Sequence, residues 1–390
     1  MEYGRHLLSE WMLDPSITYL NHGTVGAPPR RVIAEQRKLQ DEIERQPAQF
    51  QLRELADVDG NGNPSRPLMR VAAEGVARNL GCSADDLFFV DNATTGVNAV
   101  LRSFPFVRGD EILVTNLGYG AVTKAAQYVA RECGCSVATV DLPLFDSPAQ
   151  DYVDAFAAAL TDQTRIVVVD HITSQTALVM PLRQIVDVCH AHGALVLVDA
   201  AHTPGAIAVD IESYGADWYT ANLHKWGFAP RSSGILWAAR PHHPNLHPTV
   251  ISWGLDNGTA AEFDLLGTRD PTPFLVAPFA LDLIEEWGGA ALRNHNHNTA
   301  WTAALRIRDE FGRQFDTPEE MTGPMVNVGL PEDFGTTQDD AVALQATLLR
   351  SHGVELPLFP HPEGLRMRIS AQIYNDESDI ERLVSSLLSR

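Results

Sequence analysis

Short apolar runs rich in β-branched residues alternate with segments of helical periodicity over the first two thirds of the chain. The apolar runs predict strands at 86–91, 111–115, 136–142, 165–171, 194–199 and 234–239. The periodic segments predict helices at 66–79, 120–132, 151–160 and 182–192. Continuous apolar runs are typical of strands buried on both faces. We therefore predict an α/β domain built on a mainly parallel sheet.

The pattern changes near residue 277. Longer helical segments follow, with short apolar runs at 325–329 and 365–370 and helices around 339–352 and from 376 onward. This pattern predicts a smaller α+β domain. Residues 245–272 are rich in Pro, Gly, Asn and Thr, so we expect a connecting or interface loop there. We assign 30–270 to the large domain, and 1–29 with 271–390 to the small domain.

Composition and charge narrow the function. The chain has 390 residues, of which 45% are hydrophobic and 20% charged, as in an ordinary globular protein. Its net charge of −21 disfavours binding to nucleic acids or anionic membranes. The first 15 residues do not read as a secretory signal, and we see no apolar run of membrane-spanning length. Four irregularly spaced cysteines fit a reducing cytoplasm, so we expect a cytoplasmic protein that acts on a small molecule.

The chain contains only three lysines, and one of them stands out. Lys225 lies in an apolar and aromatic stretch, whereas Lys38 and Lys124 have ordinary surroundings. Burial lowers the pKa of an amine and makes the amine a nucleophile for an aldehyde. A surface lysine with a buried stem is the commoner alternative for an isolated lysine.

Two further segments place polar groups at positions where ligands commonly bind. The apolar run 194–199 ends in Asp199, which should lie at the ligand-bearing edge of the sheet, although a helix cap is the simpler explanation for one aspartate. Residues 89–98 pass from strand to turn to helix with hydroxyl groups at the helix start. A helix N-terminus binds anions through unpaired N–H groups, but threonines there are more often plain caps.

Other polar clusters do not indicate a metal or redox site. The histidines at 242–243, 247 and 295–297 lack cysteines at zinc spacing, so we interpret them as solvated polar positions. Cys133 and Cys135 do not have the spacing of a redox pair, so we interpret them as structural.

Taken in order, eight segments resemble the class V aminotransferase family of pyridoxal-5′-phosphate (PLP) enzymes, and more closely its isopenicillin N epimerase-like branch. The segments are 19–24, 91–95, 117–120, 170–174, 198–202, 221–225, 267–270 and 365–370. The resemblance covers nearly the whole chain. It implies the aspartate-aminotransferase-like fold of PLP enzymes, and a homodimer whose active sites lie at the interface.

The resemblance also implies residue roles. Lys225 would carry PLP as a Schiff base and move the Cα proton, Asp199 would pair with the pyridine nitrogen, and His202 would lie near the ring hydroxyl. Arg368 would bind the substrate carboxylate with help from Asn21, because a planar guanidinium holds a carboxylate with two hydrogen bonds. The remaining implied cofactor contacts are Ala93, Thr94, Asn222 and His224 around the phosphate, Tyr119 stacked on the ring, Thr173 or Ser174 at the ring hydroxyl, and Thr268 at the phosphate of the neighbouring subunit.

The positions of the cysteines disfavour one reaction of this family, the persulfide-forming desulfuration. Desulfurases of this family need a nucleophilic cysteine in the C-terminal third, and here no cysteine follows Cys189. Our hypothesis is removal of the Cα proton of a cysteine-derived or related amino acid to give a quinonoid, followed by epimerisation or by C–S β-elimination. Transamination or decarboxylating deamination is the alternative. The hypothesis that we favour least is a non-catalytic binding protein with the PLP-enzyme fold.

Overall fold

The computed structural model describes residues 2–56, 66–145, 147–313 and 315–389. A seven-stranded sheet forms its centre, and a smaller three-stranded sheet and a two-stranded pair accompany it. In chain order the strands of the described residues are β1 Thr18–Tyr19, β2 Leu87–Val90, β3 Glu111–Thr115, β4 Ser136–Val140, β5 Thr164–Asp170, β6 Leu195–Ala200, β7 Trp218–Asn222, β8 Gly234–Ala238, β9 Met325–Gly329, β10 Val354–Glu355, β11 Leu358–Phe359 and β12 Arg366–Ser370.

Helices cover the sheets. The α-helices of the described residues are His22–Val25, Arg30–Arg45, Pro47–Gln49, Leu68–Leu80, Ala93–Ser103, Gly120–Cys133, Ala149–Ala159, Leu182–Ala191, Thr259–Asp264, Thr272–Leu275, Ala277–Glu286, Ala290–Phe311, Gln338–His352 and Glu377–Leu388. Shorter 3₁₀ or π turns occupy Arg5–Glu10, Phe50–Glu54, Ala84–Asp86, Glu212–Tyr214, Arg240–Asn245, Glu319–Met321 and Glu332–Phe334.

The central sheet is mainly parallel, as predicted. Its strand order is β2-β8-β7-β6-β5-β3-β4. The pairs β3/β4, β3/β5, β5/β6 and β6/β7 are parallel, whereas β8 runs antiparallel to both of its neighbours. Parallel strands end at a common edge, so the residues at the carboxyl ends of β5, β6 and β7 face one region.

Two expectations about local structure were wrong. No strand was predicted at β7, where Thr220 and Asn222 interrupt the apolar run. The hydroxyl of Thr220 donates a hydrogen bond to the carbonyl of Ile235, which lets a polar side chain lie in a buried strand.

The second error concerns the loop expected at 245–272, which contains the short helix Thr259–Asp264. That helix packs through the buried Phe263, which stacks on Phe88.

The C-terminal part forms the predicted α+β unit. Its antiparallel sheet has the order β11-β12-β9, and its apolar core contains Val326, Ile369 and Leu383. The N-terminal segment joins this unit, since β1 pairs in parallel with β10. Helix Ala277–Glu286 instead buries Leu281 in the core of the large sheet. The division at residue 270 stays a prediction.

Candidate active site

A cavity of about 580 Å³ opens at the carboxyl edge of the parallel strands. Asp170 ends β5, Asp199 lies at the end of β6, and Asn222 ends β7. The first turn of helix Ala93–Ser103 forms another wall. The lining side chains are Thr24, Val25, Asp91, Asn92, Ala93, Thr94, Thr95, Tyr119, Asp170, Ser174, Asp199, Ala201, His202, Asn222, His224, Lys225, Arg231 and Ser232.

Lys225 reaches the cavity from the loop that follows β7. Its Nζ lies 3.1 Å from Nε2 of His202. Burial lowers the pKa of the amine to about 8, and the Arg368 guanidinium acts in the same direction, while Asp199 and Asp170 oppose the shift. Burial, and then the nearby Lys225 charge, keep the pKa of His202 well below its usual value. A neutral His202 can therefore accept a hydrogen bond from an amine that loses its proton more readily than an ordinary lysine.

Asp199 is 3% exposed. One of its oxygens accepts a hydrogen bond from the backbone N–H of Ala201 at 3.0 Å. Burial raises the pKa of Asp199, while that N–H and the Lys225 charge limit the rise. A buried carboxylate beside an amine is suited to pair with a protonated ring nitrogen.

The start of helix Ala93–Ser103 offers an anion site. The Asn92 side chain caps the helix by accepting from the N–H of Thr95 at 3.0 Å. The N–H of Ala93 donates to the Asn222 side chain at 2.8 Å, so this N–H already has a partner within the protein. His224 places one ring nitrogen 3.0 Å from the carbonyl of Ser233 and lines the cavity. Burial lowers the pKa of His224 to about 4, and a bound dianion would favour its protonation.

Arg368, on β12 of the small sheet, does not itself line the cavity but contacts two residues that do, Ser174 and Thr24. Its two terminal nitrogens donate to the carbonyl of Ser174 at 2.6 Å and to the hydroxyl of Thr24 at 2.5 Å. Its Nε is buried and has no hydrogen-bond partner within the described part of the chain. The Thr24 hydroxyl donates to Asn21, whose amide donates to Glu355 at 2.9 Å. In this structure Asn21 acts on Arg368 through Thr24 and does not line the cavity.

The structure brings most of the sequence-predicted residues together. Ala93, Thr94, Tyr119, Ser174, Asp199, His202, Asn222, His224 and Lys225 line one cavity. Thr173 does not, because its hydroxyl bonds Thr176 at 2.6 Å and the backbone N–H of Leu178 at 2.8 Å. Thr268 lies in a separate pocket beside Trp253 and Arg269. The roles of these residues stay predictions.

Nine of the residues that line the cavity were not predicted as site residues, among them Thr24, Asp170 and Arg231. The predicted strand 194–199 ends in Asp199, and Asp170 lies one residue before the end of the predicted strand 165–171, so two acidic strand ends were a usable signal. Thr24 lies in a segment quoted for the resemblance, but its contact with Arg368 spans most of the chain. Arg231 is an exposed cavity residue whose neighbours gave no sequence signal.

The cavity fits a phosphorylated pyridine aldehyde. It combines a lysine amine, a buried carboxylate and a helix N-terminus. Nδ1 of His202 is buried without a hydrogen-bond partner among the residues that the structure describes. A polar group of a bound ligand would satisfy it. These are the groups needed to hold an aldehyde, a ring nitrogen and a phosphate.

The comparisons agree with this chemistry. The family model "Aminotransferase class-V" matches residues 58–383, so the chain belongs to the class V aminotransferase family. The chain is 31% identical over 399 residues to an Arabidopsis thaliana protein named "Probable L-cysteine desulfhydrase, chloroplastic", covering 95% of this chain and 82% of that protein. It is 30% identical over 394 residues to isopenicillin N epimerase of Streptomyces clavuligerus, covering 96% and 95%.

The solved structures show the same fold. A cystine C–S lyase, solved in complex with its reaction product cysteine persulfide, superposes with a TM-score of 0.80 at 21% identity, covering 95% of this chain and 97% of the other. The expected class V fold is confirmed. The protein is a PLP-dependent enzyme, and the resemblance to the epimerase-like branch is also confirmed.

The structure shows partners for two of the histidines that we did not interpret as metal ligands, His242 and His247. His190 and His242 both bond the carboxylate of Asp217, at 2.9 and 2.8 Å. His247 bonds Glu262 at 2.7 Å. His242 and His247 are thus held by carboxylates instead of being simply solvated, which corrects our expectation. Across the described ranges, no helix has the length and apolar character of a membrane span.

Proposed function

We propose that this enzyme removes the Cα proton of L-cysteine or a cysteine-derived amino acid and breaks the Cβ–S bond by β-elimination. The proton leaves Cα for the Lys225 amine, and the electron pair of the C–S bond leaves with sulfur as a thiol or sulfide. The remaining 2-aminoacrylate takes up water and gives pyruvate and ammonia. For cysteine, the atoms balance as cysteine plus water giving pyruvate, ammonia and hydrogen sulfide.

The observation that carries this proposal is the Lys225 amine, 3.1 Å from His202, in the same cavity as Asp199. When bound, PLP supplies an electron sink for the carbanion at Cα. Lys225 would hold the cofactor aldehyde and Asp199 the ring nitrogen. With its pKa lowered to about 8, the freed amine can accept a proton near neutral pH.

The cofactor phosphate would lie at the start of helix Ala93–Ser103. Thr94 lines the cavity in the first turn of that helix, and His224 lines it from the loop after β7. Tyr119, at the N-cap of the next helix, would cover the ring face opposite Lys225. These contacts would fix the ring while the Cα bond is broken.

Arg368 would bind the substrate carboxylate. Its guanidinium is held between Ser174 and Thr24, so its direction is set before the substrate arrives. The unpartnered buried Nε leaves hydrogen-bonding capacity for a carboxylate. A fixed carboxylate orients the Cα–H bond toward Lys225.

The cysteines favour release of free sulfide or thiol over transfer as a persulfide. Cys189 is the last cysteine of the sequence. Burial raises the pKa of its thiol to about 12, so it would not ionise at neutral pH. A thiol is a sulfur acceptor only as the thiolate.

We further propose a homodimer. Exposed apolar side chains lie near one another in the sequence, with Trp253 82% exposed and Ile251 54% exposed. Trp253 and Leu52 share a pocket with Thr268. A second copy that covers this surface would bury these groups and could bring Thr268 to the partner's cofactor phosphate. The cysteine content supports a cytoplasmic location.

Epimerisation is the second candidate, because the enzyme from Streptomyces clavuligerus named for that reaction is 30% identical. The test is incubation of the purified holoenzyme with L-cysteine, L-cystine and S-alkyl-L-cysteines, with Lys225→Ala as the control. Pyruvate formed in equal amount with sulfide or thiol, and only with Lys225 present, supports elimination. A D-amino acid without pyruvate supports epimerisation. A 2-oxo acid that retains its sulfur would indicate transamination and overturn the proposal.

A further inference from the structure

A second acidic residue lies beside the predicted partner of the ring nitrogen. In the parallel pair β5/β6, Asp170 is in register with Asp199. Neighbouring strands are about 4.8 Å apart, and paired residues in register project to the same face of a sheet. Both carboxyl groups line the active-site cavity. They are therefore near neighbours that share one environment.

This environment does not favour two charges. Asp170 is 5% exposed and Asp199 is 3% exposed. Two buried carboxylates side by side repel each other, so one of the pair takes up a proton. A nearby positive charge that acts on both acids is that of Lys225, and a single cation cannot compensate two buried carboxylates.

The surroundings decide which acid is protonated. Burial, and then the Asp199 charge, raise the pKa of Asp170 well above its usual value, although the backbone N–H of Tyr119 opposes the shift. The Asp199 carboxylate accepts a hydrogen bond from the backbone N–H of Ala201 at 3.0 Å, which stabilises its charged form. The proton therefore resides on Asp170, and Asp199 carries the charge.

We propose that Asp170 is a positioning residue that retains its proton at neutral pH and donates a hydrogen bond to the Asp199 carboxylate. The pair then carries a single negative charge. The hydrogen bond from Asp170 fixes the orientation of the Asp199 carboxylate toward the cofactor ring. The inference rests on the proposed pairing of Asp199 with the ring nitrogen.

The hydrogen bond has a chemical consequence. A donor to Asp199 lowers the proton affinity of that carboxylate, so the shared proton stays on the ring nitrogen, where it makes the ring an electron sink. The backbone N–H of Tyr119, the residue predicted to stack on the ring, opposes the rise in the pKa of Asp170.

The test compares two variants of similar size. Asp170→Asn keeps a hydrogen-bond donor but has no acid proton, whereas Asp170→Leu has neither. Val168→Ala, two positions earlier in β5, controls for disturbance of the strand, and thermal unfolding of each apoprotein checks that it is folded. Infrared difference spectra on PLP binding detect the C=O stretch of a protonated carboxylic acid, and absorbance titration measures PLP affinity.

We expect the acid C=O band in the wild type and in Val168→Ala, and its loss in both Asp170 variants. Asp170→Leu should weaken PLP binding by about 10- to 100-fold, since it removes a hydrogen bond to a charged group, and Asp170→Asn by much less. A band that survives in Asp170→Asn, or equal PLP affinity of Asp170→Leu and wild type, would overturn the inference.

Asp199→Asn separates this inference from the one on which it rests. If Asp199→Asn leaves the PLP affinity and the absorbance of the bound cofactor unchanged, the pairing of Asp199 with the ring nitrogen is wrong. If Asp199→Asn alters both while Asp170→Leu alters neither, only the role of Asp170 is wrong.

Discussion

The Nζ of Lys225 lies 3.1 Å from Nε2 of His202, so the reactive amine shares a hydrogen bond with a histidine that burial keeps neutral. A charged histidine at this position would repel the ammonium. A neutral one accepts its hydrogen bond and leaves the amine free to lose a proton. Burial lowers the pKa of Lys225 to about 8 and so sets the pH at which the amine becomes a nucleophile.

The rate at which the apoenzyme binds PLP covalently should rise with pH and level off above about 8. The neutral amine is the reactive form, and burial lowers the pKa of Lys225 from 10.5 to about 8. Below that pH the rate should fall about tenfold per unit, because the neutral fraction falls by that factor. Stopped-flow absorbance measures the rate, with an N-acetyl-lysine amide as the reference. A midpoint for the protein equal to that of the free amine would be inconsistent with a buried Lys225.

Replacing Arg368 with lysine should raise KM for the amino-acid substrate by about 10- to 100-fold and leave the absorbance of the bound cofactor unchanged. A lysine cannot reproduce the two contacts with Ser174 and Thr24 while also binding a carboxylate. Arg366→Lys is the matched control, since Arg366 lies on the same strand but bonds Asn327 away from the cavity. Steady-state kinetics give KM and kcat separately. Equal KM values for the two variants would remove Arg368 from the carboxylate site.

Stability should depend on the ion pair between the partly buried Arg70 and the buried Asp264. The Arg70 Nε donates to Asp264 at 2.7 Å and Nη2 at 2.5 Å, while Nη1 reaches the carbonyl of Leu87 at 3.0 Å. Arg70→Met should lower the free energy of unfolding by about 3 to 5 kcal/mol, because Asp264 is left buried without its partner. Urea unfolding measures the loss.

The double variant Arg70→Met/Asp264→Leu should recover much of that loss, because it removes the uncompensated charge. Arg31→Met serves as the surface control. Arg31 and Glu286 form an exposed pair, and breaking such a pair costs about 1 kcal/mol or less. If the double variant is no more stable than Arg70→Met, the cost does not come from the buried Asp264 charge.

Thr268 should act across the interface of the proposed homodimer. Thr268→Asp would place a negative charge near the partner's cofactor phosphate and should weaken PLP binding at that site. A hybrid dimer of Lys225→Ala and Thr268→Asp subunits has one site with both native residues. We expect that site to bind PLP and turn over substrate, although each variant alone is impaired. Hybrids without any recovered site would show that Thr268 does not act on the neighbouring subunit.

The sequence predicted what depends on local patterns. Apolar runs identified β3 and β9 with correct bounds, and the run ending in Asp199 was correct to one residue. β7 was missed because Thr220 and Asn222 look unlike a buried strand until their partners on other elements are known. The same limit applies to Asp170, whose relation to Asp199 depends on strand register, and to Arg368, whose contacts lie far away in the chain.

Borohydride reduction of the holoenzyme, followed by peptide mass mapping, identifies the lysine that carries the cofactor. The chain has three lysines, and Lys38 and Lys124 lie exposed on helices. We expect a phosphopyridoxyl group on Lys225 alone, and none in Lys225→Ala. A modification on Lys38 or Lys124, or an unmodified Lys225 in protein that contains PLP, would show that Lys225 is not the cofactor lysine.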